Sequence, residues 1–134
     1  MSRKVFVNLP ITNLPESRAF YQALGFTINE HFSDDTAACA VVSEDIYVML
    51  LTHPKFKQFT TREIANTATH IQMLNALSCE SKEEVDGMVE AAIAAGGKEP
   101  RPVQDLGFMY SRAFDDLDGH TWEPFWMDPA AVPA

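Results

Sequence analysis

The sequence contains no long apolar run and no apolar signal segment. A membrane span needs about 20 consecutive apolar residues, and no stretch of the 134-residue chain approaches that length. The first four residues, MSRK, lead directly into a strand-like run, whereas a secretory signal would continue into an apolar segment. We therefore expect a cytoplasmic protein that does not enter a membrane.

Positive charge is also scarce in this chain. It has 10 lysines and arginines against 19 aspartates and glutamates, so its formal net charge is −9. Nucleic-acid binding depends on clustered lysine and arginine, and this charge balance argues against it. We expect most of the acidic surplus to be solvated surface, which identifies no partner by itself.

Cysteine is limited to Cys39 and Cys79, which lie far apart in strand-like apolar runs. Because no CxxC spacing occurs, a zinc site built on thiolates is not predicted, and we expect both cysteines to be buried, reduced thiols. The chain also lacks a GxSxG nucleophile elbow and a glycine-rich phosphate loop. No nucleophile arrangement therefore stands out.

The chain does contain a repeated order of elements, strand-helix-strand-strand-strand, offset by about 70 residues. In the first repeat, a strand over residues 4–11 precedes a helix over residues 14–24. Asn13 is the expected N-cap, Glu16 completes a capping box, and Gly25 ends the helix. Three strands are then predicted, over residues 26–32, 36–42 and 46–52.

The second repeat follows the same order, beginning with a strand over residues 70–79. Ser81 and Glu84 form a second capping box, and the helix after them ends at Gly96-Gly97. Its predicted apolar stripe is Val85, Met88, Val89, Ala92 and Ile93. Strands are then predicted near residues 98–104, 107–114 and 121–127.

These patterns predict a single α+β domain over residues 1–134. Module one covers about residues 1–53, a connector covers 54–69, module two covers about 70–128, and a tail covers 129–134. The connector is expected to be partly ordered, with a short helix near residues 56–59. Because a module of about 60 residues buries little surface alone, the two modules are expected to pair.

The last predicted strand carries one carboxylate among aromatic residues. Strand alternation places Glu123 on one face with Thr121 and Phe125, and places Trp122 and Trp126 on the other. An ionised glutamate among apolar neighbours is costly unless it meets a cation, a donor or solvent. Glu123 is therefore expected to line a wet cavity or to bind something.

Two stretches of the chain resemble the vicinal oxygen chelate superfamily, which includes glyoxalase I, bleomycin resistance proteins and extradiol dioxygenases. The opening stretch is VNLPI at 7–11, with Ser17, Phe20-Tyr21 and LGF at 24–26. The closing stretch is FDDLDGHTWE at 114–123. The resemblance implies two paired βαβββ modules whose curved sheets form a cleft for a small-molecule ligand. It also implies a homodimer.

Metal-dependent members of that superfamily hold a divalent ion with His, Gln and Glu from the first and last strands of each module. The resemblance places these four positions on Phe6, near Met49, on Leu74 and on Glu123. Only Glu123 offers a suitable donor, so we expect no metal ligands and no cofactor. A divalent metal is the alternative, and it would need an unfamiliar arrangement of His70, His120 and Glu123.

The predicted ligand-binding residues combine apolar surface with a few polar groups. Glu123 is the candidate catalytic base, with a backbone hydrogen bond at the end of the sheet as its structural alternative. Arg112 is expected either to clamp a carboxylate or phosphate of the ligand or to pair with Asp115 or Asp116. Asn8 is expected to contact ligand or to bridge the modules. The full ligand-binding set is Phe6, Asn8, Met49, Leu74, Tyr110, Arg112 and Glu123.

Three functions stay open at this point. The first is a glyoxalase/bleomycin-resistance-like protein that binds a small molecule in a metal-free cleft. The second is a metal-dependent, lactoylglutathione-lyase-like isomerase or lyase, in which Glu123 moves a proton between adjacent carbons. The third is a dimeric interaction protein whose cleft is vestigial. Whether the chain is an enzyme is undecided from sequence.

Overall fold

The chain divides after Asn66 in the computed structural model, which describes residues 2–131. The first unit is residues 2–66 and the second is residues 67–131. Residue 1 and residues 132–134, the end of the predicted tail, lie outside the described residues. No helix within the described part of the chain is long and apolar enough to cross a membrane.

The first unit contains one four-stranded sheet. Strand β1 runs parallel to β4, and β3 pairs antiparallel with β4 and with β2, so the order across the sheet is β1-β4-β3-β2. The helix α1 contacts strands β2, β3 and β4. The elements are β1 (Val5–Ile11), α1 (Leu14–Ala23), β2 (Thr27–Asn29), β3 (Ala37–Val41), β4 (Ile46–Thr52) and the short helix α2 (His53–Phe56).

The ends of α1 follow the predicted signals. The side chain of Asn13 accepts a hydrogen bond from the backbone N–H of Glu16 at 3.0 Å, as an N-cap should. Pro15 lies in the first turn, where its missing N–H costs little. Gly25 follows the helix with φ of +97°, a conformation that glycine adopts without strain. The helix prediction is confirmed.

The second unit contains a five-stranded sheet. Strand β5 runs parallel to β9, while β7 and β8 both pair antiparallel with β9, and β6 pairs with β7. The helix α3 contacts β7, β8 and β9. The elements are β5 (Leu74–Ser78), α3 (Lys82–Ala94), β6 (Gln104–Asp105), β7 (Met109–Ser111), β8 (Phe114–Asp115) and β9 (Thr121–Met127).

The second capping box is also present. The Ser81 side chain accepts from the N–H of Glu84 at 3.1 Å, and the Glu84 carboxylate accepts from the N–H of Glu80 at 2.9 Å. The stripe of α3 is fully buried at Val85, Val89 and Ala92. Ile93, predicted as part of that stripe, is instead 39% exposed.

Several predicted strands are shorter than expected, and the strand predicted at 70–79 is β5, which covers only Leu74–Ser78. The strand predicted at 26–32 is β2 followed by a 3-10 turn over Glu30–Phe32, because the Asn29 side chain accepts from the N–H of His31 and turns the chain. The strand predicted at 98–104 is reduced to β6, with Lys98 bridged to Asp115. Pro100 and Pro102 lie between them, and proline cannot donate to a ladder.

The strand predicted at 107–114 is interrupted. It divides into β7 and β8, with Arg112 and Ala113 between them outside regular pairing. Both pieces still pair with β9, so the strand order of the second repeat is preserved. Each unit therefore has the predicted strand-helix-strand-strand-strand order, and the α+β fold class is confirmed.

Candidate functional site

Glu123 lies in the middle of β9, on the face of the second sheet turned away from α3. Trp126 is opposite Tyr110 in the sheet register, and the Tyr110 hydroxyl donates to Asp86 of α3 at 2.7 Å, which fixes the helix side. Trp122, on that side, is 1% exposed. The predicted alternation along this strand is confirmed. We call the Glu123 side of the second sheet the open face, because Leu74, Ala76 and Ser78 of β5 are exposed there.

Arg101 provides the cation that Glu123 was expected to need. Its Nη2 donates to Oε2 of Glu123 at 3.2 Å and to Oγ of Ser111 at 2.9 Å, while Nη1 donates to the carbonyl of Pro102 at 3.1 Å. Arg101 and Glu123 are half-buried, with 25% and 22% of their side chains exposed. We call Arg101, Ser111 and Glu123 the Arg101 cluster.

An open depression of about 450 Å³ adjoins this arginine. It is lined by Glu99, Pro100, Arg101, Pro102 and Val103.

The sequence analysis did not identify Arg101 as a site residue. Arg101 lies between two prolines within a segment that was predicted to be a strand. Alternation could not assign its side chain to a face, because the prolines interrupt the ladder there. The one sequence signal was indirect: a partly buried glutamate requires a cation, and few cations occur in the second module.

Tyr110 and Arg112 belong to the predicted ligand-binding set, but they lie on the helix side of the second sheet, on the opposite face from Glu123. Arg112 donates from Nη1 to Asp86 at 2.9 Å, from Nη2 to Glu90 at 3.1 Å, and from Nε and Nη2 to Glu99 at 2.9 Å each. The alternative prediction, that Arg112 pairs with Asp115 or Asp116, is wrong. The helix α3 brings Asp86 and Glu90 over this side of the sheet, where they compete successfully for the guanidinium.

These contacts shift the ionisation of the groups involved. Hydrogen bonds from Tyr110 and then Arg112 hold the pKa of Asp86 below its usual value. Hydrogen bonds from Arg112 lower the pKa of Glu99. Donation to Asp86 raises the pKa of Tyr110, and the carboxylates, with Glu99 first, raise the pKa of Arg112. The lowered pKa values of Asp86 and Glu99 and the raised pKa of Arg112 favour the charged forms of all three groups, and their contacts hold α3 against the sheet.

Trp126 and Tyr110 contact a lysine on the helix side. The Nζ of Lys82 is 5.6 Å from the Tyr110 ring centroid and 5.5 Å from the Trp126 ring centroid. Its nearest carboxylate is Asp105, at 4.0 Å. Both rings are thus occupied by an internal cation–π contact.

Phe6, Asn8 and Met49 lie together on one face of the first sheet. Phe6 is 49% exposed and stacks on Tyr47, with centroids 4.6 Å apart and planes 10° apart. Asn8 is opposite Met49 in the register, and its Nδ2 donates to the carbonyl of Phe6 at 3.2 Å. These three predicted ligand-binding residues are therefore neighbours within the first unit.

Leu74 shares the open face with Glu123 in the second unit. It is 58% exposed and lies opposite Thr121, whereas the direct neighbour of Glu123 on β5 is Ala76. The predicted ligand-binding residues thus form three groups, each within one unit. The groups are Phe6, Asn8 and Met49; Leu74 and Glu123; and Tyr110 and Arg112.

The residues at the four superfamily metal positions do not fit a divalent ion. Phe6 and Leu74 carry no donor, the thioether of Met49 is a soft ligand, and Glu123 is already paired with Arg101. Across residues 2–131, no three or more His, Cys, Asp or Glu side chains cluster in a way that could hold a metal ion. His70 and His120 do not join Glu123 in such a group.

Both cysteines are free thiols, and their environment disfavours the thiolate. Burial raises the pKa of Cys39. Burial, followed by the charge of Glu84, raises the pKa of Cys79 to about 11. Cys39 is buried as predicted, and Cys79 is half-buried. Neither suits a nucleophilic role.

Residues 3–43 match a family model described as "Bleomycin resistance protein-like N-terminal". No curated protein sequence matches the chain.

Solved structures match almost the whole chain. A hypothetical protein from S. aureus is 26% identical with a TM-score of 0.78, over 94% of this chain and 95% of that one. A glyoxalase/bleomycin resistance protein/dioxygenase family enzyme from Burkholderia phytofirmans PsJN is 20% identical with a TM-score of 0.76, over 94% and 99%. A glyoxalase-related enzyme from Fulvimarina pelagi is 20% identical with a TM-score of 0.78, over 94% and 88%. The chain therefore has the fold of the glyoxalase/bleomycin resistance protein/dioxygenase structures, and its residues 3–43 are similar in sequence to the N-terminal part of bleomycin resistance protein-like proteins.

Proposed function

We propose that this protein binds a small molecule without a divalent metal ion, in the manner expected of bleomycin-resistance-like proteins. The ligand contacts the open face of the second sheet, at the Arg101 cluster. The observation that carries the proposal is the half-buried Arg101–Glu123 pair with Ser111, positioned on a face that the helix does not cover.

Stability alone gives little reason for such a pair. Half-exposed ion pairs contribute about 0–1 kcal/mol, and the open face could carry apolar or neutral residues at similar cost. Ligand sites, in contrast, combine apolar surface with a few fixed polar groups. Leu74 and Phe125 supply the apolar surface on the face of Glu123, and an open depression of about 450 Å³ adjoins Arg101.

The first unit offers a comparable surface. Phe6 and Tyr47 present a stacked aromatic pair, and Asn8 and Met49 lie beside it. Aromatic faces suit flat ligands, so these residues stay in the proposed ligand-binding set with Leu74 and Glu123. Tyr110 and Arg112 leave that set, because their polar groups are engaged on the helix side.

The lyase alternative needs a metal to polarise a carbonyl, and the donor set at the superfamily positions does not fit one. The predicted homodimer stays a prediction, as does the vestigial cleft of the interaction-protein alternative. The proposed function therefore rests on recognition of a ligand, with no chemical step assigned to Glu123.

A blocking variant tests the proposal. Ala76 is exposed and lies opposite Glu123, so Ala76→Trp fills the open face. A fragment library is screened by amide-detected NMR against the wild type, Ala76→Trp and the control Ala94→Trp, which alters an exposed alanine at the end of α3. We expect fragments to shift amides of β7 and β9 in the wild type and the control but not in Ala76→Trp.

Two outcomes would overturn the proposal. One is fragment binding that Ala76→Trp leaves intact, or no binding at all. The other is stoichiometric Ni²⁺ or Zn²⁺ binding by the wild type that Glu123→Gln abolishes, since that result would favour the metal-dependent lyase.

A further inference from the structure

We propose that the Arg101 guanidinium is an anion subsite that receives a carboxylate of the ligand, with Glu123 as its resident competitor. This inference rests on the proposed function and adds a ligand class to it. In place of a bound metal ion, the side chain of this arginine then provides the positive charge beside Glu123.

The guanidinium has donors to spare. Of its five N–H groups, Nη2 uses two on Ser111 and Glu123, and Nη1 uses one on the Pro102 carbonyl. The N–H of Nε and the second N–H of Nη1 have no partner among the described residues. A carboxylate prefers a guanidinium donor, because charge-assisted hydrogen bonds are the strong ones.

The guanidinium is also held in place before any ligand arrives. Pro100 and Pro102 restrict the backbone on both sides of Arg101, and three hydrogen bonds fix the end of its side chain. Holding a binding group in its bound geometry reduces the entropy lost on association. The depression beside it, about 450 Å³, leaves room for a small acid.

The surrounding charges decide how strongly an anion binds. Glu99 lines the same depression, but its carboxylate accepts two hydrogen bonds of 2.9 Å from Arg112, which counter its charge. Glu123, whose Oε2 is 3.2 Å from Nη2 of Arg101, is the carboxylate that an incoming anion meets as a competitor. Neutralising Glu123 should therefore strengthen anion binding.

Acetate titrations followed by amide NMR test this subsite, with the neutral isostere acetamide as reference. Sodium acetate replaces sodium chloride at constant ionic strength, so that screening does not change. The proteins are the wild type, Arg101→Gln, Arg101→Lys and Glu123→Gln. The control is Arg18→Gln, which removes an arginine of similar exposure (26%) from its ion pair with Glu30 in the first unit.

Arg101→Gln is expected to weaken acetate on the order of tenfold, the loss of one charge-assisted contact. Glu123→Gln is expected to strengthen it several-fold, Arg101→Lys to lie between Arg101→Gln and the wild type, and Arg18→Gln to match the wild type. The subsite is excluded if Arg101→Gln binds acetate like the wild type, or if Glu123→Gln binds it more weakly. Neutral fragments that still bind Arg101→Gln and are blocked by Ala76→Trp would leave the proposed function standing in that case.

Discussion

Arg112 forms ion pairs with three carboxylates in the second unit. Its side chain is 10% exposed, while its partners Asp86, Glu90 and Glu99 keep 44%, 66% and 27% of theirs exposed. A buried cation that loses its partners is costly. If Arg112 is removed, its carboxylate partners lie near the surface and can be solvated by water. Removing Arg112 should therefore lower the free energy of unfolding less than removing all of its carboxylate partners would.

Replacing this arginine tests its structural role. We expect Arg112→Met to lower the free energy of unfolding by about 1–3 kcal/mol, because the contact between α3 and the break after β7 is lost. Arg101→Gln, at a half-exposed pair, should cost under about 1 kcal/mol. Urea unfolding followed by circular dichroism compares both with Arg18→Gln. A loss in Arg112→Met no larger than that in the control would contradict the role.

At the residue scale, the sequence predicted what Glu123 requires but not which residue supplies it. Strand alternation is local, and it placed Glu123 correctly. The partners of Glu123 and Arg112 come from residues 101, 86, 90 and 99, outside the closing hairpin. Their positions depend on the rotation of α3 about its axis and on the path of a proline-interrupted segment. Neither can be predicted from a local sequence pattern.

At the scale of elements, the turn between β8 and β9 is held by one carboxylate. Asp116 accepts from the N–H of Asp118 at 3.0 Å and from the N–H of His120 at 2.9 Å. Gly119 follows with φ of +88°, and a Cβ there would lie 2.9 Å from the carbonyl oxygen of Thr67. The turn therefore needs glycine both for its conformation and for the close approach of another backbone segment.

Two glycine variants separate these requirements. Gly107 has φ of +83°, and a Cβ added there would meet no described atom within 4 Å, so Gly107→Ala should cost about 1 kcal/mol from conformation alone. Gly119→Ala meets the same strain plus the Thr67 backbone, so it should cost at least about 1 kcal/mol more. Thermal and urea unfolding of the two variants measure the difference. Equal losses would mean that residues 67 and 119 separate without cost.

Elements whose signals lie within a few residues were predictable. Asn13, Ser81 and Gly25 marked helix ends that the structure places within one residue of the prediction. The strands around Pro100, Pro102 and Arg112 were predicted too long, because the two prolines and the break at residues 112–113 interrupt strand pairing there. Propensity thus identified these elements, while tertiary pairing set their lengths.

At the scale of the whole molecule, the internal repeat carried the fold prediction. Each unit closes its sheet with a parallel pair, β1 with β4 and β5 with β9, and places its helix on one face. The apolar residues at superfamily metal positions follow from sequence once the resemblance is recognised. The pairing of Glu123 with Arg101 could not be predicted in this way, since Arg101 belongs to a segment without a family motif.

Carboxyl groups with lowered pKa values make the stability of the protein depend on pH. Asp86 and Glu99 have pKa values below those of the unfolded chain, because Tyr110 and Arg112 donate to their ionised forms. The pKa of Asp34, in the first unit, is lowered by donation from Thr36. A carboxyl whose folded pKa is depressed adds stability above its unfolded pKa of about 4, and this stability is lost as pH falls through the folded value.

We therefore expect the free energy of unfolding to decrease as pH falls below about 4, where the unfolded carboxyls take up protons first. Arg112→Met should reduce this dependence, because Asp86 keeps only its Tyr110 donor and Glu99 loses its donors. Arg18→Gln should show the same pH dependence as the wild type. The contribution of Asp34 to the pH dependence should be the same in Arg112→Met as in the wild type. Urea titrations at a series of pH values between about 7 and 3 measure the slopes. If the Arg112→Met slope equals that of the wild type, the acid sensitivity arises from general charge repulsion and not from this network.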